Sequence, residues 1–229
     1  MTDHVLQGIP PVVVTLRRSS RARRMSLRIS GLDGRVTLTV PPGTSEREAL
    51  DFARSKAGWL RGRLAGVPVQ QVVRPGMKVP VEGQPRQVAQ GEGRGIYLTG
   101  DKILLPRGDA QGRRLRAWFR TMARERLSQA SDRHAANLGL DYSRITLRDT
   151  RSRWGSCTST GALMYSWRLI MAPPDVLDYV AAHEVAHLGE MNHSARFWRL
   201  VAQLRPDFET QRRWLHRNGA DLHRYRFDD

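Results

Sequence analysis

The sequence is poor in cysteine and has no long apolar segment. Its 229 residues include one cysteine, Cys157, which excludes an intrachain disulfide and a C-x-x-C metal or redox site. No segment approaches the roughly 18 consecutive apolar residues of a membrane span, and the first residues lack the basic and apolar regions of a secretory signal. We therefore expect a cytoplasmic protein with a core that needs no disulfides.

Acidic residues are scarce relative to basic ones. The sequence has 22 Asp and Glu residues against 38 Lys and Arg residues, a formal net charge of +16. Such a charge attracts phosphates, acidic proteins and anionic membrane surfaces. Six arginines cluster without an acidic residue among them: Arg17, Arg18, Arg21, Arg23, Arg24 and Arg28. A nucleic-acid-binding patch is one interpretation of them. The alternatives are an arginine-rich proteome, which would explain the net charge, and a solvated hairpin edge, which would explain the cluster.

The first half of the sequence has the pattern of a small sheet with one helix. Three short segments rich in β-branched residues predict strands: residues 12–16, 25–29 and 35–40. The Gly and Asp residues at 31–34 predict an antiparallel hairpin. Ser45 begins a capping-box pattern, which predicts a helix to about Leu64, and glycine and proline then separate short apolar pieces. We predict a β-rich N-terminal region with one helix at residues 1–108.

The second half changes to helical periodicity. From Asp109 to Leu138 apolar residues recur at helical spacing with arginines between them, which predicts a long amphipathic helix that connects the two halves. Gly139 is a plausible cap at its end. Residues 145–147 and 162–171 have the composition of strands.

The next predicted helix contains residues typical of a catalytic metal site. It begins at Pro173-Pro174-Asp175 and contains His183, Glu184 and His187 in the H-E-x-x-H pattern. Residues four apart lie about 40° apart around a helix, so both imidazoles can face one ion, whereas Glu184 is turned roughly 100° away. This spacing predicts two zinc ligands and a carboxylate that addresses a bound water.

A catalytic zinc usually takes three protein ligands, and the sequence offers two candidates for the third. His193 lies six residues beyond His187, on the wrong face of a continuing helix, so the helix must end or turn between them. Gly189 would permit that break, and Ser194 is a plausible cap for a further helix. Glu190 is the competing ligand, and ordinary structural or surface histidines are the alternative to any metal site.

Five short motifs occur in order in this half of the chain. They are Arg153-Trp154-Gly155-Ser156-Cys157, Ser166-Trp167-Arg168-Leu169, Ala172-Pro173-Pro174, His183-Glu184-Val185-Ala186-His187, and Asn192-His193-Ser194 followed by Phe197-Trp198. In these motifs the chain resembles the YgjP-like zinc metallopeptidases, which are related to the SprT-like and WLM zincins. The resemblance is densest at residues 144–204 and covers most of the chain. Ser166 stands where the family often has asparagine.

The resemblance implies a zincin fold with His183, His187 and His193 as zinc ligands, which favours His193 over Glu190. In most zincins an edge strand beside the cleft pairs with extended substrate, and Ala162–Met171 is our candidate for it. We therefore predict an α+β fold, in which the β-rich N-terminal half is joined by a long helix to a zincin-like metallopeptidase domain. That domain, with a small sheet over an active-site helix, spans residues 109–229 and includes the long helix.

The predicted activity is hydrolysis of protein or peptide substrates. Zinc lowers the pKa of its water to roughly 7, and Glu184 takes the proton and returns it to the leaving amine. Tyr165 or Arg168 could supply an oxyanion donor, although strand residues equally face solvent or core. Cys157 fits a small buried residue better than a reactive thiol or a fourth ligand.

Two other functions remain open from the sequence. One is a nucleic-acid-associated protein in which zinc is only a structural clamp, although Glu184 has no obvious role in a clamp. The other is a zincin that cleaves proteins bound to nucleic acid, by analogy with the SprT-like zincins.

Overall fold

The computed structural model describes residues 2–67 and 69–227 of the chain, which form a mixed α+β structure with several small sheets and one long helix. The chain folds as two compact units, Met1–Val69 and Gln70–Asp229. The predicted division at residues 108 and 109 rests on composition and stays a prediction. None of the helices in the described ranges combines the length and apolar character of a membrane-spanning segment.

The first unit contains a four-stranded sheet. Its strands are β1 Thr2–Leu6, β2 Val12–Arg18, β3 Ser26–Ile29 and β4 Val36–Val40. Their spatial order is β1-β2-β4-β3, with β2 and β4 parallel and the other pairs antiparallel. Val14 and Leu38 are fully buried on one face of this sheet, since alternate strand residues share a face. The predicted β3–β4 hairpin is confirmed, whereas the sequence pattern did not indicate β1.

Two short helices cover the buried face of this sheet. They are α1 Glu46–Ser55 and α2 Ala57–Ala65, and Ala49, Ala53 and Leu60 pack in the same core as the strands. The Ser45 Oγ accepts a hydrogen bond from the Glu48 amide at 3.2 Å, as the capping pattern predicts. The single predicted helix is divided at Lys56, whose φ of −103° and ψ of 7° depart from helical geometry.

The second unit begins with a second small sheet and the long helix. The strands are β5 Gln71–Val72, β6 Lys78–Val81, β7 Gln84–Gly91, β8 Tyr97–Thr99 and β9 Lys102–Pro106, and β6, β7, β9 and β8 pair in that order. Helix α3 then spans Gln111–Leu138 and ends at Gly139, whose φ of 64° is left-handed. Its apolar residues Leu115, Phe119 and Leu127 are buried in the main core. The predicted long amphipathic helix is confirmed.

A three-stranded sheet corrects the prediction for Ala162–Met171. Its strands are β10 Arg144–Arg148, β11 Gly155–Cys157 and β12 Ala162–Ser166, in the order β10-β12-β11. Because β12 is central, the prediction of an edge strand there is wrong, and β11 is an edge strand instead. Residues Trp167–Met171 form a 3-10 helix. Its five consecutive residues are all buried. In a strand of a sheet with one exposed face, alternate residues would instead face solvent.

Three further α-helices follow in this unit. They are α4 Pro174–Gly189, α5 Ala195–Leu204 and α6 Phe208–Asn218. Helix α4 contacts α3, α5, α6 and β11, so it lies at the centre of the unit and ten of its residues are buried. A 3-10 helix at Gly219–His223 leads to β13 Tyr225–Arg226, which pairs with β5. This arrangement surrounds the helix that carries the predicted site residues.

Candidate active site

Three histidines converge beside the carboxyl-terminal end of α4. His183 and His187 lie on α4 and His193 lies in the turn before α5, and one ring nitrogen from each is within 4.8 Å of the others. The Nε2 atoms of His183 and His193 are 3.2 Å apart. Two nitrogens bound tetrahedrally to one zinc at 2.0–2.1 Å are separated by about 3.3 Å. The cluster could therefore hold a metal ion of this size.

The end of α4 brings His193 back to the other two histidines. The helix ends at Gly189, and Glu190 is extended with a φ of −152° and a ψ of 107°. A Cβ added at Gly189 would lie 3.1 Å from the Leu200 Cδ1. The predicted end of the helix is confirmed, but the glycine allows close approach of α5 rather than an unusual backbone angle. Ser194 caps α5 as predicted, since its Oγ accepts from the Phe197 amide at 3.3 Å.

The tautomer and charge of the histidines suit metal binding. The His187 Nδ1 is 3.0 Å from the Glu190 backbone oxygen, so a neutral ring donates from Nδ1 and presents Nε2 to the cluster. Burial lowers the pKa of His187, and burial followed by the charge of His187 lowers the pKa of His183 to about 3. Neutral imidazole is the form that binds a metal. Among the described residues, Glu190 contributes its backbone here and its carboxylate is outside the cluster.

Phe197 forms an apolar floor beneath the three histidines. Its ring centroid lies 4.9 Å from that of His183, 4.4 Å from that of His187 and 4.8 Å from that of His193. The side chain is fully buried, so it restricts the orientations that the imidazoles can adopt. Trp198 extends the floor, with a centroid 5.8 Å from that of His183. The sequence motif included both aromatic residues but did not reveal this role.

Glu184 is buried against the backbone of β11. Its residue surface is 5% exposed, and a Cβ added at Gly155 would lie only 2.5 Å from its Oε1. Burial raises the pKa of the Glu184 carboxyl to about 8, and the charge of Arg153 opposes that shift. Glu184, Gly155 and the three histidines line one cavity of about 420 Å³. A glycine inside a strand pattern signals close approach, which is the sequence feature that could have identified Gly155.

The edge of β11 presents backbone groups beside this cavity. The Ser166 amide donates to the Trp154 oxygen at 2.8 Å, and the Thr158 amide donates to the Ala162 oxygen at 3.0 Å. Because hydrogen-bonded residues alternate along an antiparallel pair, the amide and carbonyl groups of Gly155 and Cys157 point away from β12. They are placed to pair with an added strand.

Neither proposed oxyanion donor faces the cavity. The Tyr165 side chain is fully buried, and its hydroxyl lies 3.0 Å from the Ser131 hydroxyl. Arg168 makes two hydrogen bonds to the Asp149 carboxylate, at 2.6 and 3.0 Å. It also donates to the backbone oxygens of Leu222 and Tyr225, both at 2.9 Å. Both side chains therefore stabilise the fold and do not face the cavity, in agreement with the alternative that they belong to the core.

The surroundings of Cys157 and the motif tryptophans bear on their predicted roles. Burial and then the charge of Glu184 raise the pKa of the Cys157 thiol to about 11, so the thiol is protonated at neutral pH. The sulfur is not among the converging ligand atoms of the described residues. Trp167 is fully buried, and Trp154 packs against His223 with ring centroids 5.2 Å apart while also lining the cavity. These contacts favour packing roles for the two tryptophans. Cys157 is half-buried rather than fully buried and also lines the cavity.

Comparisons with known proteins found a matching family model and a partly similar solved structure. The family model described as "YgjP-like, metallopeptidase domain" matches residues 23–218. The crystal structure of the metallopeptidase zymogen of Pyrococcus abyssi abylysin is similar in part, with 20% sequence identity and a TM-score of 0.37. That match covers 44% of this chain and 98% of the other. No curated protein sequence matches the chain.

Proposed function

The chain belongs to the YgjP-like metallopeptidase family, and from that premise we propose that it hydrolyses peptide bonds with a zinc ion held by His183, His187 and His193. Glu184 is the general base in this proposal, and residues 109–229 are the catalytic domain. The observation that carries the proposal is the convergence of three imidazoles beside a buried carboxylate in one cavity.

The donor set supports zinc as the metal. Three neutral imidazoles with no thiolate match a catalytic rather than a structural site, because structural zinc sites are closed by four ligands. When bound, zinc supplies an electrophile that brings the pKa of water to roughly 7, polarises a peptide carbonyl and favours the ionised form of Glu184.

Glu184 supplies the proton transfers. Its carboxylate lies in the same cavity as the histidines but outside their converging group, so it is available to water rather than to the metal. It accepts a proton from the attacking water and then donates it to the leaving amine. Its burial in an apolar strand–helix contact raises its basicity, which suits a general base near neutral pH.

An extended polypeptide fits the surroundings of the site. The outward amide and carbonyl groups of Gly155 and Cys157 would pair with the substrate backbone, so β11 replaces Ala162–Met171 as the candidate substrate-binding strand. Tyr179, Val180 and Leu215 give the cavity an apolar wall, which would receive a substrate side chain. Protein substrates follow from the family.

A structural zinc clamp explains less of the site. Ionising a buried carboxyl costs free energy unless it is paired or hydrogen-bonded, and among the described residues no hydrogen bond to the Glu184 carboxylate is found. A purely structural site would gain nothing from a carboxylate in that position. We therefore retain nucleic-acid association as an addition to peptidase activity rather than as its replacement.

The test compares Glu184→Gln with the wild type on a panel of denatured protein substrates, with bound zinc quantified for each. We expect Glu184→Gln to retain one zinc and to lose hydrolysis by about 10²-fold or more, because the base is removed and the ligands are kept. Glu209→Gln, the same chemical change at an exposed residue, should behave as the wild type. Equal rates for wild type and Glu184→Gln would contradict the proposal.

A further inference from the structure

One face of the sheet in the first unit is not covered by α1 and α2. Val14, Val36 and Leu38 face the core on the other side, so the intervening residues of β2, β4 and β3 form the opposite face. Strand register aligns Arg17 with Thr39 and Ser26, and aligns Thr15 with Thr37 and Arg28. We call these two rows the open face.

Two arginines flank the hydroxyl groups of the open face. Arg17 and Arg28 are both exposed and lie on the two strands beside β4, two register positions apart. Standard strand dimensions place their Cα atoms roughly 12 Å apart. Their guanidinium groups can therefore reach the space over Thr37 and Thr39 from both sides.

Further arginines lie at one end of the open face. The Ser19 amide donates to the Val40 oxygen at 3.0 Å, which places the turn after β2 at the end of β4. This turn and the segment that follows carry Arg21, Arg23 and Arg24, all exposed. Arg18 is fixed by hydrogen bonds from its Nη1 to the Pro42 and Thr44 backbone oxygens.

One carboxylate lies on the same side of the sheet, that of Asp3 on β1, which is aligned with Thr15 and accepts a hydrogen bond from its Oγ1 at 2.7 Å. Among the described residues, the arginines of the open face and its end have no ion pair with an acidic side chain. Residues 12–44 contain seven arginines and one acidic residue, Asp33. The acidic residues Glu46, Glu48 and Asp51 lie on α1, the helix on the other side of the sheet. Positive charge is therefore in excess on the side of the sheet opposite α1.

We propose that the open face binds the sugar-phosphate backbone of a nucleic acid without selecting its sequence. Guanidinium groups form paired hydrogen bonds with phosphates, and the Ser and Thr hydroxyls between them add further donors. The two rows contain no aromatic side chain for base stacking. Contacts therefore go to phosphates and not to bases.

The composition of the open face favours a nucleic acid over a protein or a membrane. Protein interfaces depend on apolar or aromatic anchors at their centre, and stable membrane docking requires apolar side chains that enter the acyl region. The two rows contain neither. The exposed Val5 and Val13 lie further along the same sheet, away from the Arg17 end, so the experiment includes vesicles.

The test measures binding of the 229-residue chain to fluorescent oligonucleotides, single-stranded and duplex, in two unrelated sequences. We expect similar affinities for both sequences and a steep fall in affinity between about 50 mM and 200 mM salt. For single strands, Arg17→Gln with Arg28→Gln should lower the slope of the log–log salt plot by about 1.4, because each lost phosphate contact contributes about 0.7. The charge-reversed pair Arg17→Glu and Arg28→Glu should weaken binding more than about tenfold.

The control pair is Arg47→Glu and Arg63→Glu, which changes net charge equally on exposed positions of α1 and α2. An equal loss of affinity in the control pair would show that only the net charge matters, and it would overturn the proposal. Unchanged binding in the Arg17 and Arg28 variants would also overturn it. Tighter binding to phosphatidylserine vesicles than to oligonucleotides, lost on substitution of Arg17 and Arg28, would also overturn it. Because no readout uses peptide hydrolysis, the outcome is independent of the proposed peptidase activity.

Discussion

The Glu184 carboxylate lies against the backbone of Gly155, so close that no side chain fits between them. A Cβ at Gly155 would be 2.6 Å from the Glu184 Cγ and 2.7 Å from its Cδ. The glycine of the Arg153–Cys157 motif is thus explained by the side chain of the H-E-x-x-H motif. One motif leaves the space that the other fills.

Gly155→Ala should displace Glu184 and impair hydrolysis. Because the new methyl group would overlap the carboxylate, we expect the free energy of unfolding to fall by about 1–3 kcal/mol and the rate of hydrolysis to fall while zinc binding is retained. Chemical denaturation, activity and zinc content are the measurements. Gly62→Ala is the control, since nothing lies near its Cβ position and alanine favours a helix, which should raise stability by about 0.5–1 kcal/mol. Full activity in Gly155→Ala would contradict the expected displacement.

His193 rather than Glu190 should determine metal affinity. Replacing His193 by Ala removes one of the three converging nitrogens, so we expect loss of stoichiometric zinc on dialysis and loss of the stabilisation that metal binding confers. That stabilisation is about 4 kcal/mol when free zinc is 1,000 times its Kd. Glu190→Gln keeps the backbone oxygen that orients His187 and should retain the metal. A chelator should lower the Tm of the wild type and of Glu190→Gln but not that of His193→Ala. The reverse ranking of the two variants would make Glu190 the ligand.

Arg168→Met should destabilise the fold without changing the chemistry of the site. The substitution leaves the Leu222 and Tyr225 oxygens without their donor, and we expect a loss of about 3 kcal/mol in the free energy of unfolding. Activity per folded molecule should stay near that of the wild type, measured as kcat well below the Tm. A large fall in kcat with intact stability would instead indicate a direct role in stabilising the oxyanion.

His223 should make the metal-free protein less stable in mild acid. Burial, followed by the charge of Arg168, lowers the pKa of His223 to about 4, whereas the unfolded chain has a histidine pKa of about 6.5. Between these two pKa values the unfolded chain binds a proton that the folded chain does not. The contribution of His223 to the free energy of unfolding is therefore at its maximum above about pH 6.5 and decreases as the pH falls toward about 4. From pH 7 to pH 5 this residue should contribute a loss of about 2 kcal/mol.

The contribution of His223 is isolated by comparing substitutions. Burial also lowers the pKa of His183, so the wild type has more than one source of acid sensitivity. His223→Gln should reduce the difference in stability between pH 7 and pH 5, measured by urea unfolding. His216→Gln, at an exposed position, should leave that difference unchanged. An identical pH dependence in wild type and His223→Gln would show that His223 does not stay neutral in the folded protein.

Local patterns predicted several elements because their causes are local. The β3–β4 hairpin follows from turn residues between alternating segments, α3 follows from helical periodicity, and the caps at Ser45, Gly139 and Ser194 follow from short-range hydrogen bonds. The position of the edge strand did not follow, because strand composition does not specify the order of strands in a sheet. The packing of Phe197 against the histidines was also not predicted. Phe197 lies on α5 and contacts them only because the chain turns back after α4.

By itself, the sequence determined the pairing of His183 with His187 and the need for a helix end before His193, because both depend on the fixed rotation of residues around one helix. It also determined the family. Only the tertiary structure decided that β11 is the strand beside the cavity, that Gly155 leaves room for Glu184, and that Arg168 holds the C-terminal segment instead of facing the cavity. Those features depend on contacts between segments distant in sequence, and such contacts arise from packing of the complete core rather than from any local pattern.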